Sequence, residues 1–277
     1  MQIPPEKTDA RMFAVVRYAY NDNPCSQPLP ALAAGSKAAV ILADPPYNQG
    51  VEYDGDAWKD RLSSGDYFDL CSRALRHQAT WLRPGGTCWW VVPVRHARWL
   101  SGLMEAIIGP ELYSIAWHER FAVYRHTDLT HDWRMVLVHT NDPLRVERRL
   151  DAIRHQSVRQ QMGDKRANPA GRIPGTVWQI RRLQGTSTAR VKWHPSQLPP
   201  ELLQRIVLGW SDPSDLVLDA FAGSGSMGVE ALRLHRRFVA VERSAVYCRA
   251  ITARLRAVAL EPTVKSWPGW AVPWEKS

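Results

Sequence analysis

The run Ala38-Ala39-Val40-Ile41-Leu42-Ala43-Asp44-Pro45-Pro46-Tyr47-Asn48 decides the fold. Six apolar residues in a row predict a strand buried on both faces, the kind that fills the middle of a parallel sheet. Two prolines directly after Asp44 forbid helix and continued sheet alike, so the strand must end in a stiff turn. Open α/β sheets seat ligands beyond the carboxyl ends of their strands, which puts Asp44 at the rim of a site.

The residue types in that turn suit one chemistry. Asp44 and the Pro45 carbonyl are two rigid acceptors, the carbonyl undisturbed because Pro46 has no N–H, and Tyr47 adds a flat face. A planar base with an exocyclic amino group matches both features: two acceptors draw its hydrogens and make the nitrogen more nucleophilic, while the ring stacks on a base flipped out of the duplex. An ordinary Asx-type turn is the plain alternative for the same residues.

Outward from this strand, helix and buried strand alternate. Met12 to Ala19 reads as a strand and Asn21 to Pro30 as a loop; Asn48 to Gly65 is a polar stretch that suits a lid or a solvated loop. Apolar spacing from Asp66 to Leu82 predicts a helix, stopped by Arg83-Pro84-Gly85-Gly86 and followed by a buried strand from Thr87 to Val94. A helix over His96 to Ile108 and strands near Tyr113 to Arg120 and Arg134 to Thr140 complete this half, the last two as an edge hairpin. Phe121 to His126 could line a base pocket or pack. Such alternation argues for an α/β protein with a mostly parallel sheet covered on both faces.

The chain has 277 residues, 45% hydrophobic and 23% charged, with a formal net charge of +9. Between Arg145 and Lys192 stand twelve Lys and Arg against three acids, so this Gly- and Pro-broken segment alone holds the whole excess. That concentration favours contact with phosphates over a plain solvated face, and nucleic acid is the obvious polyanion. The four cysteines, Cys25, Cys71, Cys88 and Cys248, are scattered without metal spacing, which speaks against a zinc site or a disulfide framework. With no secretory pattern at the start and no apolar run near the ~20 residues of a membrane span, a cytoplasmic protein without membrane contact is expected.

A second motif, Leu216-Val217-Leu218-Asp219-Ala220-Phe221-Ala222-Gly223-Ser224-Gly225-Ser226, runs from an apolar strand into a glycine turn, with a helix from Met227 to Leu234 behind it. Glycines there let backbone N–H groups approach a ligand near a helix N-terminus. A further strand, Arg237 to Glu242, ends in an acid seventeen residues beyond Gly225, a spacing that suits a carboxylate on ribose hydroxyls. Gly223, Gly225 and Gly228 fit the dinucleotide fingerprint only loosely, so glycine spacing does not separate NAD from S-adenosylmethionine.

The two motifs together do separate them. Asp-Pro-Pro-Tyr with Phe-Ala-Gly-Ser-Gly resembles the amino-group DNA methyltransferases, which modify adenine N6 or cytosine N4, and the order of catalytic motif, basic region and cofactor motif resembles their beta class. His194-Pro195-Ser196-Gln197, Pro199, the helix from Glu201 to Leu208 and Glu242 to Tyr247 extend the likeness over nearly all of residues 38 to 258. The resemblance implies a circularly permuted, doubly wound methyltransferase sheet, Rossmann-like, with an inserted basic target-recognition region. Its parts would be a catalytic half at 1–141, the recognition region at 142–192, a cofactor half at 193–260 and a tail at 261–277, whose Trp267 to Trp274 segment is best read as packing.

It further implies site-specific methyl transfer from S-adenosyl-L-methionine to adenine N6 in duplex DNA. Asp44, Pro45, Pro46 and Tyr47 would be catalytic; Asp219, Phe221, Gly223, Ser224, Gly225, Glu242, His194 and Ser196 would bind cofactor, with Asp22 a counterpart on the first strand and no metal. Core packing for Phe221 and a surface ion pair for Glu242 are the plain alternatives. Cytosine N4, an RNA base, a protein amide, or a catalytically inactive DNA-binding subunit are the rival functions. The resemblance also allows a homodimer and a cognate restriction endonuclease. Three positions depart from the family pattern: Leu198 replaces a usual Lys or Arg, Ser226 and Met227 replace threonines, and Tyr20-Asn21-Asp22 replaces a Gly-Asp ending.

Overall fold

A computed structural model describes residues 12–18, 36–53, 60–119, 127–185 and 187–265. Eight strands form one sheet: β1 (Phe13–Arg17), β2 (Ala38–Ala43), β3 (Leu82–Val92), β4 (Glu111–His118), β5 (Trp133–Thr140), β6 (Val177–Gln179), β7 (Leu216–Asp219) and β8 (Arg237–Glu242). Their order is β1-β8-β7-β2-β3-β5-β4-β6, and only β5 runs against the others.

The apolar runs are explained by burial on both faces. Along β2, Val40 and Leu42 face one core while Ile41 and Ala43 face the other; along β3, Trp89 and Val91 oppose Cys88, Trp90 and Val92 in the same way. The first core is closed by α4 (Pro200–Trp210), α5 (Ser226–Arg233) and α6 (Ala245–Ala259). The second is closed by α1 (Ser64–Trp81) and α2 (Val94–Ile107). Two further single-turn helices, α3 (Val158–Gln161) and α7 (Pro262–Lys265), lie outside this frame. Ser63 caps α1: its hydroxyl accepts from Asp66 N at 3.1 Å.

Chain direction reverses between β2 and β7. From β2 the chain steps to β3 on one side, whereas from β7 it steps to β8 on the other. The two strands are parallel neighbours, Leu42 facing Asp219 in register, so the turns after them open into the crevice where such sheets bind ligands.

One expectation is corrected. The hairpin of β4 and β5 is antiparallel as read, but it is not the sheet edge, because β6 adds a parallel strand outside β4. Part of the basic stretch is built into the fold. Val146, Ile153, Trp178 and Ile180 from it are buried in the first core, and Arg149 and Arg145 are ion-paired at the amino-terminal end of the sheet, away from the Asp44 rim. Charge density alone could not reveal that some of these arginines fasten the segment to the sheet. The Asp22 counterpart, the Phe121 to His126 aromatics and the Trp267 to Trp274 tail lie outside the described residues.

Candidate active site

Asp44 follows β2 directly, half-buried, and Pro45 behind it is buried. Tyr47 folds back so that its hydroxyl donates to Asp44 Oδ1. Arg134, at the start of β5, donates from Nη1 to the same phenolic oxygen at 2.7 Å, and its guanidinium lies 4.9 Å from the Tyr47 ring centre. Glu119, just past β4 and buried, pairs with Arg134 Nε at 2.5 Å. A chain of contacts thus runs from Glu119 through Arg134 and Tyr47 to Asp44.

Burial pushes the Asp44 carboxyl up to about 6, against the opposing pull of Arg134 and of the Tyr47 hydroxyl. Burial, helped by the Asp44 charge, also raises the Tyr47 phenol, which therefore stays protonated and able to donate. Asp44 is an ionised acceptor above that value and loses this role below it.

The turn itself is held from outside. Asn48 takes a left-handed conformation, φ 56°, and buried Asp60 accepts from the Asn48 and Gln49 amides at 2.5 and 2.9 Å. Asn48 exchanges two side-chain bonds with Leu62, while Arg95 and His96 at the start of α2 reach the Tyr47 carbonyl at 2.7 and 3.2 Å. The Asp44 turn is consequently held by contacts from two sides.

Next to it lies the glycine turn. Gly223 and Gly225 have φ of 48° and 72°, in the region that disfavours side chains. A Cβ on Gly223 would stand 2.9 Å from the His194 ring, so bare backbone is required where this turn meets the segment before α4. Glu242 at the end of β8 accepts from Gly223 N at 2.9 Å and Ser244 N at 2.8 Å. Asp219 is buried, accepts from Phe221 N at 3.1 Å, and is pushed up to about 8 by burial, with Asp44 and Glu242 adding to the rise.

His194 is buried against Tyr247, ring centres 4.8 Å apart, and its Nδ1 meets the Ser196 carbonyl. Burial lowers it to about 4, so it is neutral. Tyr53 joins from the loop after the Asp44 turn, 5.7 Å from His194. A surface cleft of about 370 Å³ beside this group is lined by Glu52, Lys192, Trp193, Pro195 and Tyr247; the Asp44 turn contributes nothing to its wall.

The structure therefore brings Asp44, Pro45, Pro46, Tyr47, Asp219, Phe221, Gly223, Gly225, Glu242 and His194 to one end of adjacent strands. The two serines of the expected cofactor set are engaged by protein groups. Ser224 is buried with its hydroxyl on Ser226, and Arg254 from α6 holds both serines, so it secures the turn from behind. Ser196 acts on His194 through its backbone. Phe221 packs edge-on to Trp90, 6.1 Å between centres, as its plain reading held. Leu198, where the family pattern has a cation, is buried in the first core.

Sequence reasoning missed Arg134, Glu119, Asp60 and Tyr53. None belongs to a short motif; each reaches the site through sheet order or loop closure. The residues present suit S-adenosyl-L-methionine: bare backbone at Gly223 and Gly225, and acids at the ends of β2, β7 and β8.

A family model described as DNA methylase, of the N6 and N4 type, matches residues 38–253. The Type II methyltransferase M.HpaI of Haemophilus parainfluenzae is 26% identical over 234 residues, 83% of this chain and 73% of that protein. DNA adenine methyltransferase YhdJ of Escherichia coli strain K12 is 29% identical over 229 residues, 78% and 75% of the two chains. Among solved structures, the M1.HpyAVI complex with SAM superposes with TM-score 0.59 at 17% identity, covering 88% of this chain and 99% of the other. The cytosine-N4-specific PvuII DNA methyltransferase gives 0.63 at 15%, covering 89% and 90%.

Proposed function

Because the chain belongs to the N6 and N4 DNA methylase family, and is an S-adenosylmethionine-dependent DNA methyltransferase, we propose that its target is the N6 amino group of an adenine flipped out of duplex DNA at a specific site. The observation that carries the reading is the register of β2 against β7, which sets the Asp44 turn beside the glycine turn at one rim. Asp at the head of the catalytic motif favours adenine over cytosine N4.

S-adenosyl-L-methionine, when bound, supplies an electrophilic methyl group on a positively charged sulfur. Asp44 and the Pro45 carbonyl accept the two amino hydrogens and turn the nitrogen lone pair toward that methyl. The methyl group that the cofactor would supply leaves one amino proton to be taken up by the protein. Asp44, pushed up to about 6, is the base within reach. Tyr47 stacks on the base. Gly223, Gly225 and Glu242 hold the cofactor, the carboxylate by its ribose, while alignment and exclusion of water do most of the catalytic work.

Arg181 and Arg182, just past β6, and Arg190 and Lys192, just before His194, are the cations of the basic stretch that lie toward this rim, and they are assigned to phosphates. The recognition region at 142–192, the flanking halves, a homodimer, a cognate restriction endonuclease and a cytoplasmic setting belong to the same proposal. Among the described residues no helix is long and apolar enough to cross a membrane.

Transfer of labelled methyl to mixed-sequence duplex DNA, followed by nucleoside analysis, tests this. Label in N6-methyladenine, lost in Asp44→Ala while cofactor affinity is kept, is expected. Label in N4-methylcytosine replaces the target base, and equal loss of binding and turnover removes Asp44 from its role.

A further inference from the structure

Resting on that reading, we propose that Arg134 is a positioning residue for methyl transfer: it clamps the Tyr47 hydroxyl on Asp44 in the free site, and keeps that hydroxyl bonded when the target amino group displaces it from the carboxylate. The phenolic oxygen has two partners, Asp44 as acceptor and Arg134 as donor at 2.7 Å. An incoming amino group competes with the Tyr47 hydroxyl for the Asp44 carboxylate, where Tyr47 holds Oδ1. Once displaced, Tyr47 retains the Arg134 bond, so its oxygen is not stranded in a buried place, where a lost partner is costly.

The guanidinium cannot easily follow another course. Glu119 grips Nε at 2.5 Å, and the Trp117 ring centre lies 5.6 Å from its central carbon. Glu119 is buried while Arg134 is only partly covered, an arrangement whose desolvation cost a purely structural pair would avoid with apolar side chains. Antiparallel β5 begins where parallel β2 and β3 end, and that reversal is what delivers Arg134 to the catalytic rim. Arg134 thus touches the reaction only through Tyr47 and Asp44.

The groups facing Asp44 are Tyr47 on its own turn, Arg134 from β5, Glu119 after β4, Tyr53 from the following loop and Asp219 from β7. Arg134 is the one cation among these, and it opposes the rise caused by burial. Its removal moves the acid limb of the rate profile to higher pH.

Single-turnover methyl transfer is measured from about pH 5 to 9 with saturating cofactor, whose affinity is determined separately by calorimetry. Arg134→Gln is expected to slow transfer by about 10- to 100-fold and to shift the acid limb upward, with cofactor affinity within about twofold of the parent. Arg134→Lys, which keeps charge without the fork, restores the limb and only part of the rate. In a Tyr47→Phe background, where the shared oxygen is gone, Arg134→Gln adds less than about threefold.

A parental rate and limb in Arg134→Gln, an undiminished loss in the Tyr47→Phe background, or an equal loss of cofactor affinity overturns the proposal. If Arg134→Gln does not fold, a parental rate in Arg134→Lys overturns it as well. A parent protein that binds cofactor yet labels no DNA base refutes the methylation reading itself, and the positioning role with it.

Discussion

Glu242→Gln separates two roles that the Glu242 carboxylate could fill. One oxygen accepts from Gly223 N at 2.9 Å and the other from Ser244 N at 2.8 Å, so the acid ties the glycine turn to the start of α6. A glutamine keeps one oxygen but turns an NH2 group toward the second amide, donor against donor. Loss of one charge-assisted bond costs about 1.5 to 3 kcal/mol. At about 2 to 4 °C per kcal/mol for a chain of this size, calorimetric melting without cofactor should fall by about 3 to 12 °C. If the same carboxylate also holds the cofactor's ribose, affinity for S-adenosyl-L-methionine measured by titration calorimetry should weaken by about 10- to 100-fold. A variant that melts within about 1 °C of the parent refutes the two-amide geometry. Lower melting with parental affinity keeps the turn and refutes the ribose contact.

Gly228→Ala should destabilise by about 1 to 3 kcal/mol in urea unfolding, because its Cβ would stand 2.4 Å from the Phe238 ring and 2.8 Å from Leu255; parental stability would mean that α5 is not packed so closely on β8. Cofactor-free melting should decline as pH rises from about 6.5 to 8. Asp219 is raised to about 8, so the folded chain keeps a proton that the unfolded chain has released, and that advantage disappears through this window. Asp44, raised to about 6, has already lost its own contribution, and His194, lowered to about 4, acts in the opposite direction only below its ordinary value. Asp219→Asn should flatten the decline, and a parent that melts equally across the window removes the buried proton.

The parts of the site that were legible in sequence are those whose geometry is local. Two prolines after an aspartate fix a turn whatever surrounds them, and Gly223 and Gly225 announce a backbone that cannot carry side chains. Strand runs such as Val40 to Ala43 were equally plain, since burial on both faces leaves no polar alternation to misread. Arg134 was illegible for the opposite reason. Nothing near it in sequence distinguishes it from the other arginines, and its partners stand 87 residues away at Tyr47 and on a neighbouring strand end at Glu119. The surroundings of Ser224 were not legible either, because motif membership says which residues share a turn, whereas Arg254 reaches its carbonyl from a helix beyond it. In the basic stretch composition counts charges without their partners, and Asp212 and Asp142 take up two of them, at Arg149 and Arg145.

The acids of the rim imply a last consequence. Asp44, Asp219 and Glu242 end three adjacent strands, and burial together with mutual repulsion keeps Asp219 protonated near neutral pH. A ligand bearing a fixed positive charge that cannot be shed favours the ionised acids, so S-adenosyl-L-methionine binding should expel protons. S-adenosylhomocysteine carries the same amino and carboxyl groups without the sulfonium, and should expel fewer. Titration calorimetry at about pH 7.5 in phosphate, Hepes and Tris, whose ionisation enthalpies differ, reads the proton count directly for each ligand. A larger release for the sulfonium ligand, reduced in Asp219→Asn, is expected; identical counts would show that the acids do not sense the charge. The same linkage opposes the chemical step but favours product release, because transfer of the methyl group removes the charge that the acids had stabilised and leaves a product they hold less well.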